Sequence, residues 1–218
     1  MRFWLAATLI SAALAVGCAS PAAEPLVARP PRSETLQFIL SESDAVDRVR
    51  VNANAWLKPY AVSAAGGLNG IRRQLDQIGP VSEVTGQRFD GLTTWGLHST
   101  FSYNDSRDSC SIRNATIEVE AVITLPELQE GSLLPPHELT LWQAYVEQLR
   151  AHEDGHVSIY LAAAQDLRDE YLQVGAMADC RQLAAALTAL SEAKIAAVRA
   201  ADQRFDAETG HGALFPSP

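Results

Sequence analysis

Basic side chains, cysteines and long apolar runs are all scarce in this chain of 218 residues. Its 17 lysines and arginines are outnumbered by 26 aspartates and glutamates, which gives a formal net charge of -9. Proteins that bind DNA or RNA need basic stripes to neutralise phosphates, so no nucleic-acid partner is expected. The apolar run from Phe3 to Val16 is too short for a membrane-spanning helix, which needs about 20 residues.

The first seventeen residues have the pattern of a secretory signal. Arg2 is followed by the apolar run and then by Gly17-Cys18. The segment Ala15-Val16-Gly17 directly before Cys18 resembles a bacterial lipoprotein box, in which the cysteine is lipidated and becomes the new N-terminus. We therefore expect a lipoprotein of the cell envelope, anchored to a membrane and facing the periplasm or the exterior. Ordinary cleavage, which would leave Cys18 as a free thiol, is the alternative.

The predicted domain organisation follows from this signal. Residues 1–17 form the signal peptide, and residues 18–50 form a tether and N-terminal linker that is rich in proline between Ala19 and Ser33. Residues 51–218 are long enough for one folded domain, which we expect to be a zinc-dependent hydrolase domain for the reasons given below.

Three cysteines are an odd number for an exported protein. If Cys18 carries lipid, Cys110 and Cys180 remain as a pair, and the oxidising surroundings of exported chains favour a disulfide between them. The competing interpretation makes these two residues metal ligands. Neither is part of a C-x-x-C pair, which argues against that interpretation.

The hydrophobic pattern predicts an α+β domain with a small antiparallel sheet followed by two long C-terminal helices. Apolar residues spaced by three and four predict a helix from Gly66 to Ile78. Alternation predicts strands from Leu92 to Tyr103 and from Ile112 to Leu125, joined as an antiparallel hairpin. The C-terminal half predicts helices from about 138 to 174 and from about 177 to 205.

The segment His152-Glu153-Asp154-Gly155-His156 has H-E-x-x-H spacing inside the first of these long helices. Residues four apart lie on one helix face, so both histidines can give ring nitrogens to one zinc ion. Glu153 lies one step round the helix, where its carboxylate can take a proton from a water. The alternative is a pair of surface histidines beside solvated acids. Glycine in a helix interior costs about 1 kcal/mol relative to alanine, which indicates that another segment approaches closely at Gly155.

At these residues the chain resembles a bacterial family of predicted secreted zinc-dependent proteases, formerly catalogued as a domain of unknown function. The resemblance covers about residues 60–212 and implies a zinc hydrolase with a zincin-like arrangement. The residues that carry it are Gly79-Pro80, Thr94-Trp95, Cys110, Trp142 and Tyr145 before His152-Glu153-x-Gly155-His156, and Phe205-Asp206-x-x-Thr209-x-His211-Gly212.

A catalytic zinc usually has three protein ligands, and the motif supplies two. If the long helices fold back on each other at about Gly175, residue 154 lies opposite roughly residues 196–198. Asp202 and Glu192 are near that level and stay open as the third ligand.

We predict His211 as the third ligand. The second long helix is expected to end near Asp206, and five extended residues span up to about 17 Å, enough for the tail to return to the metal. Histidine is also the zinc-suited residue of the tail segment that carries the resemblance.

These residues together predict an exported zinc metallopeptidase. Zinc is the expected cofactor, Glu153 the general base and a peptide or protein the substrate. Two other functions stay open, namely a non-catalytic zinc-binding envelope lipoprotein and a zinc amidase that acts on cell-wall peptides.

The lipoprotein hypothesis predicts a localisation change when the lipid acceptor is removed. The variant Cys18→Ser should leave the membrane fraction, or accumulate unprocessed, because a serine cannot receive a thioether-linked lipid. Membrane fractionation and the mass of the N-terminal peptide measure both outcomes. Normal membrane retention of a processed Cys18→Ser protein would contradict the hypothesis.

Overall fold

The structure, a computed structural model, describes residues 35–38, 48–212 and 214–216. The predicted signal segment 1–17, the lipidation candidate Cys18 and most of the predicted tether lie outside the described residues. None of the helices in the described ranges is long and apolar enough to span a membrane.

Four strands form one sheet in the order β1-β2-β4-β3. They are β1 (Thr35–Phe38), β2 (Val49–Val62), β3 (Leu92–Ser106) and β4 (Ser109–Leu128). β1 pairs antiparallel with β2, so the sheet begins inside the segment 18–50 that was expected to be tether and linker.

The sheet is mixed rather than antiparallel throughout. β3 and β4 form the predicted antiparallel hairpin. β2 and β4, in contrast, pair in parallel from Val49 opposite Ala115 to Val62 opposite Leu128. The chain leaves β2 through a helix, runs back along β3 at the sheet edge and returns as β4 in the gap beside β2. Alternation of apolar and polar residues predicts a strand but not which strand it pairs with. The sequence therefore could not reveal the parallel pairing of β2 with β4.

Three helices lie in the described ranges and confirm the α+β class with two long helices after the sheet. They are α1 (Gly67–Ile78), α2 (Pro136–Gln173) and α3 (Cys180–Thr209). Pro135 and Pro136 begin α2, where a missing backbone N–H is harmless. Asp179 caps α3 by accepting hydrogen bonds from two backbone N–H groups of its first turn.

The core lies between one face of the sheet and the two long helices. The predicted apolar face of β4 is buried, whereas Thr116, Glu118 and Glu120 of the other face are at least partly exposed. Three polar residues are buried among these apolar side chains on α2, and they are His152, Glu153 and His156. Burial of three ionisable groups together demands partners, because unpaired buried charges are costly.

A disulfide joins Cys110 to Cys180, as predicted, with the two Cα atoms 5.0 Å apart. Beside it, the backbone N–H of Cys110 donates to the carbonyl of Met177 at 2.7 Å, and the N–H of Met177 donates back at 2.9 Å. The start of α3 is therefore tied to the first residues of β4 by one covalent bond and two hydrogen bonds.

Removal of this disulfide should destabilise the protein. The bond closes a loop over a sequence separation of 70. Cross-linking a loop of that length lowers the chain entropy of the unfolded state, which raises the free energy of unfolding by about 4 kcal/mol. Urea unfolding of Cys110→Ala/Cys180→Ala should therefore show a lower midpoint than the oxidised parent. An unchanged midpoint would mean that the bond contributes nothing to stability.

Candidate metal centre

The motif residues of α2 face the sheet and α3. His152 and His156 lie one turn apart and are each 7 % exposed, and Glu153 between them is 3 % exposed. The helix face that carries Trp142, Tyr145 and Leu149 into the core thus also carries these polar groups inward.

Three potential ligand atoms converge here. The Nε2 atoms of His152 and His156 are 3.2 Å apart. The Oδ1 atom of Asp206 on α3 lies 3.2 Å from the first and 3.1 Å from the second. Ligand atoms of one tetrahedral zinc ion, at 2.0 to 2.1 Å from the metal, are about 3.3 Å apart. The side chains are therefore spaced almost as a bound zinc requires.

The far side of each ring has its own partner. The Oδ1 atom of Asp202 lies 3.0 Å from Nδ1 of His156. Thr209 donates its hydroxyl hydrogen to the carbonyl of Phe205 at 2.6 Å, so its oxygen can accept from Nδ1 of His152 at 3.1 Å. Both Nδ1 atoms are thereby assigned as the protonated nitrogens, and both Nε2 atoms carry lone pairs.

This hydrogen-bond pattern fits a bound metal ion. Three acceptor atoms, the two Nε2 atoms and the carboxylate oxygen of Asp206, point at one another with no proton assigned between them. Such a cluster is repulsive unless a metal cation or a shared proton lies between the three atoms. Metal-ligating histidines also commonly donate their other N–H to a carboxylate or another oxygen, as both rings do here.

Asp202 orients one ring instead of joining the three ligand atoms. Its Oδ2 atom accepts hydrogen bonds from Nε1 of Trp95 at 3.1 Å and from the hydroxyl of Tyr160 at 3.2 Å. Burial lowers the pKa of His156, but the hydrogen bond to Asp202 and the charge of Asp206 outweigh it and raise that pKa. The two carboxylates therefore favour positive charge at this ring, which a metal ion on its Nε2 atom would also supply.

Close packing of an aromatic ring explains the glycine in the motif. The ring of Phe205 stacks on His152 at 4.9 Å between centroids and meets His156 edge to face at 5.0 Å. A methyl group on Gly155 would overlap the Cζ atom of Phe205. The expected close approach of another segment is confirmed, and the segment is α3.

Glu153 is held in the wall of the site by the start of β3. The hydroxyl of Thr93 donates to its Oε2 atom at 2.7 Å. A Cβ atom on Gly91 would lie 2.8 Å from the Oε1 atom of Glu153. A side chain at this position would therefore displace the carboxyl. Burial raises the pKa of Glu153 to about 7, against a weaker lowering by the Thr93 hydroxyl. A carboxyl with that pKa can both accept and release a proton near neutral pH.

A polar network anchors the segment that leads to Thr93. Arg72 of α1 binds both carboxylate oxygens of Asp90, at 2.5 and 2.6 Å. The hydroxyl of Tyr145 donates to the same carboxylate, and the hydroxyl of Tyr60 donates to the backbone carbonyl of Asp90 at 2.7 Å. Phe215 packs against Tyr145 and against the guanidinium of Arg72. The chain that enters β3 is therefore fixed from three sides.

The site opens into a cavity of about 900 Å³. Its walls are the loop at 82–87, the first residues of β3, the motif face of α2 and one face of α3. Ligand sites in proteins usually have volumes of about 300 to 1,000 Å³, so the cavity can hold a peptide-sized segment.

His211, the predicted third ligand, lies beside the cluster. Its Nδ1 atom is 3.4 Å from Oδ1 of Asp206, the side chain is 51 % exposed, and the ring packs on Phe89. The tail does return to the site as expected, since a Cβ atom on Gly212 would lie 3.0 Å from Cβ of His152. The residues whose ligand atoms converge are nevertheless His152, His156 and Asp206, so ligation by His211 stays a prediction.

Asp206 is the residue that sequence reasoning missed. The turn between the helices runs from 174 to 179, and the helix contacts place residue 154 opposite about residue 204 rather than 196–198, which brings Asp202 and Asp206 opposite the histidines. Glu192, the other open alternative, is exposed on α3 and does not belong to the cluster. The available signal was the spacing, because two carboxylates four residues apart match two histidines four residues apart on an antiparallel helix.

The fold and the cluster define an α+β protein with a candidate metal centre between two antiparallel helices. The sequence profile of a family of bacterial proteins of unknown function, named DUF922, matches residues 57–212, and the chain belongs to this family. The matched range contains the whole candidate centre and both disulfide cysteines. The predicted membership of a bacterial family is thus confirmed. The zinc-dependent protease activity that the resemblance implied stays a prediction. Comparison with curated proteins found no match, and neither did comparison with solved structures.

The contact between Gly155 and Phe205 reverses a general expectation about glycine. A helix-interior glycine replaced by alanine normally stabilises a helix by about 1 kcal/mol. Gly155→Ala should instead lower the free energy of unfolding, because the new methyl group overlaps the ring of Phe205. Thermal unfolding of Gly155→Ala, Phe205→Ala and the double variant measures the coupling. Gly96→Ala is the control, since nothing lies within 4 Å of its added methyl group. A more stable Gly155→Ala protein would contradict the contact.

Proposed function

We propose that this protein is a zinc-dependent hydrolase that cleaves peptides. In this proposal His152, His156 and Asp206 hold the metal and Glu153 transfers protons. The observation that carries it is the convergence of three lone-pair-bearing atoms at 3.1 to 3.2 Å, with both Nδ1 atoms already bonded elsewhere.

Two histidines and one carboxylate form a donor set that suits a catalytic zinc ion. A zinc ion held there would act as a Lewis acid and would lower the pKa of a bound water to about 7. Ferrous iron can use the same donor set, so the identity of the metal is part of the experiment.

Glu153 has the properties of a general base. It adjoins the ligand His152 in sequence, so its carboxyl lies in the same wall of the cavity. The hydrogen bond from Thr93 orients that carboxyl, and its pKa of about 7 suits proton transfer near neutral pH. It would remove a proton from the attacking water and deliver it to the nitrogen of the leaving amine.

The wall formed by β3 favours a peptide as substrate. β3 is the edge strand of the sheet, and its residues 92–97 line the cavity. The backbone groups on the outer side of an edge strand have no strand partner, so an extended peptide can pair with them. A motif helix beside an edge strand is the arrangement expected of a zincin-like enzyme. We further propose that the domain is exported and held at a membrane by lipid on Cys18.

Metal analysis tests the ligand set. Purified protein should contain about one zinc ion per chain, and His152→Ala, His156→Ala and Asp206→Ala should each lower zinc affinity by more than about a hundredfold. His211→Ala should lower zinc affinity less, because its ring contacts Asp206 but adds no atom to the three that converge. His98→Ala is the control, since that ring is exposed and paired with Glu118. A full zinc content in Asp206→Ala, together with loss of zinc in His211→Ala, would show that His211 and not Asp206 is the third ligand.

Exchange of the general base tests the chemistry. Glu153→Gln should keep its zinc and its fold but hydrolyse a broad peptide library about 10²- to 10⁴-fold more slowly, since an amide cannot accept the proton. Glu147→Gln, on the exposed side of the same helix, should retain full activity. Equal rates for Glu153→Gln and the parent would refute the mechanism.

The same assays separate the two alternative functions. Zinc binding without hydrolysis of any substrate by the parent would support the non-catalytic envelope lipoprotein. Hydrolysis confined to isolated cell-wall peptides would support the amidase.

A further inference from the structure

The cavity has one cationic wall residue. Among the described residues that line it, Arg199 is the only lysine or arginine. It lies on α3 and is exposed, and its guanidinium forms no ion pair or hydrogen bond with another residue of the described chain. The other charged lining residues are acidic, namely Glu83, Glu153, Asp202 and Asp206.

Arg199 belongs to a stripe of α3 residues spaced one helical turn apart along the cavity. Ile195, Arg199, Gln203 and Ala207 all line it, and their i, i+4 spacing puts them on one helix face. This stripe and residues 92–97 of β3 both line the cavity. A peptide extended along β3 would turn alternate side chains toward the stripe.

The distance from Arg199 to the candidate metal centre determines which residue of a bound peptide it can contact. Arg199 precedes Asp206 by seven residues, which is about 10 Å along the helix axis. An extended peptide advances about 3.3 Å per residue, so this span corresponds to about three residues.

We propose that Arg199 determines specificity by binding a carboxylate of the substrate about three residues from the cleaved bond. This inference rests on the proposed zinc hydrolase function. A guanidinium without a protein partner can bind a carboxylate through two parallel hydrogen bonds. Away from the proposed metal ion, Arg199 is the cationic group of the cavity wall at which a negatively charged side chain or chain terminus is accepted.

Binding of metal-anchored probes tests this independently of hydrolysis. The probes are two series of fluorescent peptide hydroxamates, one that extends from each side of the zinc-binding group. Each series carries Glu, Gln or Lys at one of the four positions nearest that group. Fluorescence anisotropy with zinc-loaded protein gives the dissociation constants.

In one series, the Glu probe should bind about five- to tenfold more tightly than the Gln probe near the third position. Arg199→Gln should abolish this preference, and Arg199→Glu should transfer it to the Lys probe. Raised salt should weaken the preference, as expected for a partly exposed ion pair. Arg204→Gln, an exposed arginine of the same helix that does not line the cavity, should leave it unchanged.

Two outcomes would overturn the inference alone, while the zinc hydrolase proposal survives. One is hydroxamate binding without any Glu preference, and the other is a preference that persists in Arg199→Gln. Zinc-loaded protein that binds no probe at all would overturn both the inference and the proposed function. A Glu preference lost in Arg199→Gln, in a protein that hydrolyses no peptide, would support the inference for a binding site and refute the enzyme.

Discussion

The antiparallel contact between α2 and α3 is the constraint on which the candidate centre depends. It sets His152 against Asp206 and His156 against Asp202, and each pair is one helical turn from the other. A shift of one helix by a single residue would rotate both carboxylates by about 100° away from the histidines. The whole cluster is therefore formed or lost as a unit.

Several features of the fold hold that helix register. Asp179 caps α3, and the disulfide of Cys180 ties the first residue of α3 to β4. At the other end of the contact, the missing side chain of Gly155 lets Phe205 pack against both histidine rings. The register is thus fixed covalently at the base of the helix pair and sterically at the candidate metal centre.

The sheet contributes the other half of the site. Asp90, bound by Arg72, fixes the chain that enters β3, and Thr93 on that strand orients the carboxyl of Glu153. A buried carboxyl and two buried imidazoles would destabilise an ordinary core, since each loses its hydration. Here they lie at the edge of the core beside the cavity, with partners for the ring Nδ1 atoms and the carboxylate. Such a placement is typical of residues retained for chemistry rather than for stability.

Local patterns in the sequence determined the helices, the β3–β4 hairpin, the pairing of Cys110 with Cys180 and the motif on α2. These depend on residues a few positions apart, or on the small number of cysteines, and periodicity reports them directly. The parallel pairing of β2 with β4 and the convergence of Asp206 with the two histidines were decided only by the tertiary structure. Both depend on how elements dock. A different register between two helices changes which side chains meet, because each residue advances the helix by 1.5 Å and rotates it by about 100°.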